Sequence, residues 1–186
     1  MKVINLHHQE NELIKLATEN NRQAQQQIYT HFSPKMLGVC RQYIKDIHQA
    51  EDIMITAFMK VFVNIKNFEN KGSFEGWIRR IMVNECISFI RVQKKIKYVE
   101  DETYFEESFN NIESQFSTDD IQSLIDSLPD GYKTVFNLYA IEGFKHKEIA
   151  SMLEINEGTS KSQLSHARKM LQIQINKLKN YEYGTE

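Results

Sequence analysis

Between residues 158 and 171 the chain sets out hydrogen-bond donors at helical spacing. Ser160, Lys161, Gln163, Ser165 and His166 come first, Arg168 and Lys169 follow, and no acid stands among them. Such a set can donate to acceptor atoms on base edges and neutralise phosphates. It shows no recognised nucleophile-and-base signature, so catalysis is not expected of it.

These side chains need a helix that offers one face to a partner. In "HKEIASMLEINEGTSKSQLSHARKML", residues 146–171, Ile149, Ala150, Leu153, Ile155 and Leu164 have helix-turn-helix spacing, with Ala150 small enough for a close crossing. Thr159 is placed to cap a second helix starting near Gly158. Such a helix suits the major groove, its first half meeting bases and its cations meeting phosphates. An amphipathic hairpin with a solvated polar face would show the same spacing, and the pattern alone leaves both open. Glu154 occupies the turn position where glycine is usual, at a strain of roughly 1 kcal/mol if left-handed, and Ser160 replaces a customary apolar residue.

The charge is partitioned. The net charge of the 186 residues is −2, yet Met1–Tyr98 carries 15 bases against 9 acids, Val99–Asp130 carries 10 acids and no base, and Gly131–Asn180 carries 8 bases and 4 acids. Two basic blocks separated by an acidic one suit two contacts with a polyanion, although solvated faces could segregate likewise. With 41% hydrophobic residues the chain can form ordinary cores, and two prolines with seven glycines favour long helices over a turn-rich β architecture. Cys40 and Cys86 sit in helix-like apolar patterns and read as buried thiols rather than a disulfide. No signal peptide and no membrane span is legible, so the expected location is the cytoplasm. No phosphate loop, metal-ligand spacing or cofactor motif is found; the expectation is a non-enzyme without metal or cofactor.

The expected fold class is all-α, two small helical domains joined by a flexible acidic linker, with boundaries 1–97, 98–120 and 121–180. In the first, helical periodicity breaks near Asn20-Asn21, and Ser33-Pro34 reads as a cap with proline opening a new helix. After a polar turn at "DIHQAED", the helix from Ile53 to Ile65 is apolar around much of its circumference, as for an element buried between neighbours. "NFENKGS", residues 67–73, reads as a loop, and Ser73 as the cap of a helix through Trp77 and Arg91. Residues 99–120 lose periodicity. Pro129 then starts a helix that Gly143 ends.

"LPDGYKTVFNLYAIEGFKHKEIASMLEINEGTSKSQLSHARKML" resembles region four of bacterial sigma factors of the small extracytoplasmic-function group, and "AEDIMITAFMKVFVNIKNFENKGSFEGWIRRIMVNECISFIR" resembles their region two. The order is right, and the two signatures span most of the chain from about residue 10 to 178. The resemblance implies a protein that binds core RNA polymerase, directs it to promoter DNA and opens the duplex at the minus-ten element, with an anti-sigma factor as a further partner. It implies that residues 67–73, with Asn70, Lys71, Gly72 and Ser73, capture a flipped base; that Asn84 assists strand separation; and that Arg79, Arg80 and Arg91 meet phosphates. Trp77 matches a family tryptophan and reads better as a core anchor. Lys161, Ser162, Ser165 and His166 align with positions that contact minus-thirty-five bases, His166 replacing a frequent arginine, while Lys147, Arg168 and Lys169 are expected on phosphates. Asp52 matches an acidic polymerase contact; Ile55 and Thr56 depart from the family's glutamine and glutamate there. A stand-alone helix-turn-helix regulator would explain residues 121–178 but gives the 67–73 loop and Asn84 no task.

Overall fold

The computed structural model describes residues 2–93 and 118–183. Every regular element among them is helical, and the chain divides into two compact units, Met1–Val92 and Gln93–Glu186. Most of the expected acidic linker lies outside the described residues, except that its last three residues, from Thr118, already belong to a helix.

In the first unit α1 (Lys2–Thr18) gives way to α2 (Arg22–Arg41). The break has a local cause. Asn20 turns left-handed at φ 62°, a conformation asparagine tolerates better than most, and the Asn21 side chain accepts from the Ala24 amide at 3.1 Å. The expected helix start at Ser33-Pro34 does not occur, because Pro34 lies inside α2. Ala24, Ile28, Phe32, Met36 and Val39 form one buried stripe running past it, while Pro34 and Thr30 lie on the exposed side. The carbonyl that loses its donor therefore sits on the solvated face, and the stripe holds the helix together across the gap.

α3 (Ile47–Asn64) starts six residues before Ile53, because the Asp46 carboxylate accepts from the Gln49 amide at 2.8 Å and extends the helix into the polar segment. Ala50, Ile53, Met54, Ala57, Phe58 and Val61 are buried. A 3₁₀ turn (Ile65–Asn67) leads into the 67–73 loop, where Asn70 and Gly72 take φ of 54° and 107°. α4 (Phe74–Gln93) opens with Ser73 as cap, its hydroxyl accepting from the Gly76 amide at 3.3 Å. Phe74, Ile78, Met82, Cys86 and Ile90 are buried along it. Phe74 centres an aromatic cluster, with ring centroids 5.8 Å from Phe32, 5.1 Å from Phe68 and 5.8 Å from Trp77.

The second unit runs α5 (Thr118–Asp126), α6 (Asp130–Phe136), a π-helical turn (Asn137–Ile141), α7 (His146–Leu153) and α8 (Glu157–Tyr183). Pro129 precedes α6 as its cap, and Gly143, at φ 76°, closes the π turn with the Phe144 amide donating to the Leu138 carbonyl. Ile125, Leu128, Ala167 and Leu171 form a core with Leu124, Tyr132, Phe136 and Met170 packed against it. Glu154 ends α7 left-handed, at φ 57° and ψ 44°.

Candidate nucleic-acid interface

α8 starts at Glu157, with the Ser160 amide donating to the Asn156 carbonyl. Thr159 therefore stands inside the helix and caps nothing. Ser160, Leu164, Ala167 and Leu171 run along the buried side. Because α8 packs against both α6 and α7, the buried arc is wider than a single stripe, and it takes in Ser162 and Gln163. Three residues expected to face outward are thus turned in. Ser160 hydrogen-bonds His146 Nδ1 at 2.9 Å, the Ser162 hydroxyl donates to the Thr159 carbonyl at 3.1 Å, and Gln163 is buried.

His166 also departs from its expected place. Its ring stacks on Tyr132 of α6 with centroids 5.5 Å apart, and its Nε2 is buried without a hydrogen-bond partner. In this position the buried Nε2 is turned away from any base.

The outward residues of α8 are Glu157, Lys161, Ser165, Arg168 and Lys169, within an arc of about 120° at 3.6 residues per turn. Lys161 Nζ lies 2.9 Å from Glu157 Oε1. This contact holds the Glu157 carboxyl below the usual glutamate range. Arg168 lies 5.5 Å over the Tyr139 ring, which stacks on His146 at 4.6 Å. Burial first, then Lys161 and Arg168, push the His146 pKa down, so the ring is neutral at pH 7. Lys147 is exposed at the start of α7.

In the first unit Asn70, Lys71, Gly72 and Ser73 are all exposed in one loop, with Lys71 paired to Glu69 at 2.7 Å. Arg80 is exposed, whereas Arg79 is partly buried and donates to Gln42 Oε1 at 3.4 Å. Asn84 lines a groove of about 360 Å³ between α3 and α4, with Lys60, Asn64, Asn67, Trp77, Ile81, Glu85 and Ser88. Trp77 therefore does two things: it packs on Phe68 and Phe74, and it forms a wall of the groove. Lys60 and Glu85 pair across the groove. Asn64 escaped the sequence reading and Asn67 entered it only as the first residue of the 67–73 loop, since nothing in their spacing ties them to Asn84.

On α3, Asp52, Ile55 and Thr56 are exposed, with the Thr56 hydroxyl donating to the Asp52 carbonyl at 2.9 Å. The helix is not enclosed by neighbours. Ile55, Met59 and Val63, four residues apart, are 50%, 63% and 76% exposed and form an apolar row to solvent. The spacing was readable; which apolar stripe faced out was not. Among the described residues no group of three or more His, Cys, Asp or Glu side chains could hold a metal, and no helix is long and apolar enough to cross a membrane.

Family comparisons agree with this layout. The Sigma-70 region 2 profile matches residues 28–96 and the Sigma-70, region 4 profile residues 118–171. The chain is 33% identical over 135 residues to RNA polymerase sigma factor SigV of Bacillus subtilis, covering 73% of this chain and 81% of that one. The chain belongs to the extracytoplasmic-function sigma factors. It is also 30% identical over 180 residues to the ECF RNA polymerase sigma factor SigW of the same organism, covering 89% of this chain and 96% of SigW. A co-crystal of the sigma factor RpoE with the anti-sigma factor NepR from Bartonella quintana aligns at a TM-score of 0.48 and 22% identity, over 81% of this chain and 96% of that one. As a sigma factor the protein directs transcription initiation, with the first unit as region 2 and the second as region 4.

Proposed function

We propose that this sigma factor docks on core RNA polymerase through Asp52, Thr56 and the Ile55–Met59–Val63 row of α3. It then opens the minus-ten element with the 67–73 loop and the Asn84 groove, and reads the minus-thirty-five element with α8. Asn70, Lys71, Gly72 and Ser73 offer an exposed loop with backbone and side-chain partners for an unstacked base. Asn84, Asn64 and Asn67 supply amides beside the Trp77 ring, a combination suited to a displaced single strand. Lys161 and Ser165 meet bases; Lys147, Arg168, Lys169 and Arg80 meet phosphates and carry the salt dependence. Ser162 and His166 hold α8 in place, and Arg79 steadies the end of α2.

The observation that carries this reading is the exposed apolar row on α3. A regulator that bound DNA alone would have no use for it, whereas a chain that must join polymerase needs such a surface. An anti-sigma factor would act by covering the same row. Transcription initiation puts the working protein in the cytoplasm.

The test is reconstitution with bacterial core polymerase on genomic fragments, mapping transcript starts and probing unpaired thymines with permanganate. We expect defined starts with the wild-type chain. Asn84→Ala should retain polymerase and promoter binding yet lose unpaired thymines at the minus-ten element. Tight DNA binding without polymerase, and no new starts with it, would refute the proposal. Normal opening by the Asn84 variant would remove the groove from it.

A further inference from the structure

The DNA-facing arc of α8 contains one acid, Glu157, exposed in the first turn of the helix. Sequence reasoning passed over it because it precedes the acid-free run from residue 158. A carboxylate brought against a phosphate-lined groove is repelled unless it accepts a hydrogen bond there. The structure keeps it charged rather than hidden. Lys161 sits 2.9 Å away, and its hydrogen bond and charge, with a lesser part from Lys147, lower the Glu157 pKa.

We propose that Glu157 and Lys161 act together as a reader of one G·C pair in the minus-thirty-five element. The inference rests on α8 being the helix that enters that element. In the major groove guanine offers the O6 and N7 acceptors and its paired cytosine offers an N4 donor. O6 and N4 are hydrogen-bonded to each other, about 2.9 Å apart, and so present an acceptor beside a donor on one edge. Glu157 and Lys161 present the complement at the matching separation of 2.9 Å: an ammonium for O6 and N7, and a carboxylate for N4. The pair also carries almost no net charge, so it selects sequence without strengthening general attachment to DNA. An A·T pair offers O4 and N6 at a similar spacing, but its N7 stands beside the donor N6 and the thymine methyl beside the acceptor O4, so the ammonium loses its second acceptor and the carboxylate meets N7. A reversed pair would bring cytosine N4 to the ammonium, donor against donor.

The experiment selects duplexes from a promoter library randomised across the minus-thirty-five element, using the reconstituted holoenzyme. It compares wild type with Glu157→Ala and with the near-isosteric Glu157→Gln. Wild type should prefer G·C in one orientation at one position. Glu157→Ala should reduce that preference about tenfold while leaving preferences at other positions in place, and Glu157→Gln should reduce it less. Unchanged preferences at every position, with overall binding the same as wild type or uniformly tighter, would overturn the proposal and leave Glu157 a helix-terminal charge. A wild-type library with no minus-thirty-five preference would bring down the placement of α8 itself, and this inference with it.

Discussion

Met59 gives the sharpest test of the polymerase-docking face. Its side chain is 63% exposed on the outward row of α3, between Ile55 and Val63. Burying a whole methionine or leucine side chain stabilises by about 1.5–3 kcal/mol. With nearly two-thirds still open, docking can add about 1–2 kcal/mol at Met59, and truncation to alanine forfeits most of it. The expected loss in polymerase affinity is about tenfold, since about 1.4 kcal/mol is one decade. The measurement is competition between a labelled wild-type chain and Met59→Ala for core polymerase, with thermal unfolding of both free proteins. The melting temperature should hold within a degree or two, because the residue touches mostly water in the free protein. An affinity within twofold of wild type would refute the docking face. A melting temperature lowered by several degrees would show that Met59 serves the fold instead.

The remaining predictions concern the parts that hold these surfaces in place. Phe74 is 1% exposed at the centre of its aromatic cluster, and Phe74→Ala should cost region 2 about 3–5 kcal/mol, read as a shift of the urea unfolding midpoint. The neutral His146 ring should make region 4 sensitive to acid. Its folded pKa is below the ordinary value of 6.5, so the unfolded chain takes up the proton first as pH falls. The contribution is present above pH 6.5, is lost as pH falls from there toward the folded pKa, and levels off below it. Melting wild type and His146→Gln from pH 7.5 to 5 should show a gap between them that changes with pH; a constant gap would contradict it. Cys40 and Cys86 are fully buried and hydrogen-bonded to each other, which pulls the Cys40 pKa down and pushes the Cys86 pKa up. An aromatic disulfide reagent should label neither thiol while the protein is folded and both once it is unfolded; fast native labelling would refute their burial.

Much of this was legible where the cause is local. The break at Asn20-Asn21, the Ser73 cap, the Pro129 start and the Gly143 stop each depend on a residue acting within a turn of itself. The left-handed Glu154 was readable from helix-turn-helix spacing. Features set by distant neighbours were not. Pro34 looks like a helix start until the buried row beneath it is known, since nothing nearby says that Thr30 faces water. His166 and Ser162 align with reading positions, but the Tyr132 ring and the width of the contact with α6 and α7 decide where they point. On α3 the apolar count was plain in the sequence, yet a helix apolar all round is as consistent with a docking face as with a buried core. The groove at Asn84 needs Asn64 and Asn67 from another helix and the turn that follows it, and no sequence period links them.

The π-helical turn at Asn137–Ile141 makes chain length itself a determinant of the region-4 surface. The Glu142 amide reaches back five residues to the Asn137 carbonyl, so this stretch holds one residue more than an α-turn would. Removing any single residue from it would let ordinary winding close the turn, with the flanks near their present angles but the side chains within the turn displaced around the axis. Tyr139 would then leave the His146 ring, and Arg168 would lose the aromatic face beneath it. An error of one codon in frame, with every remaining side chain intact, would disturb this surface more than most substitutions within it.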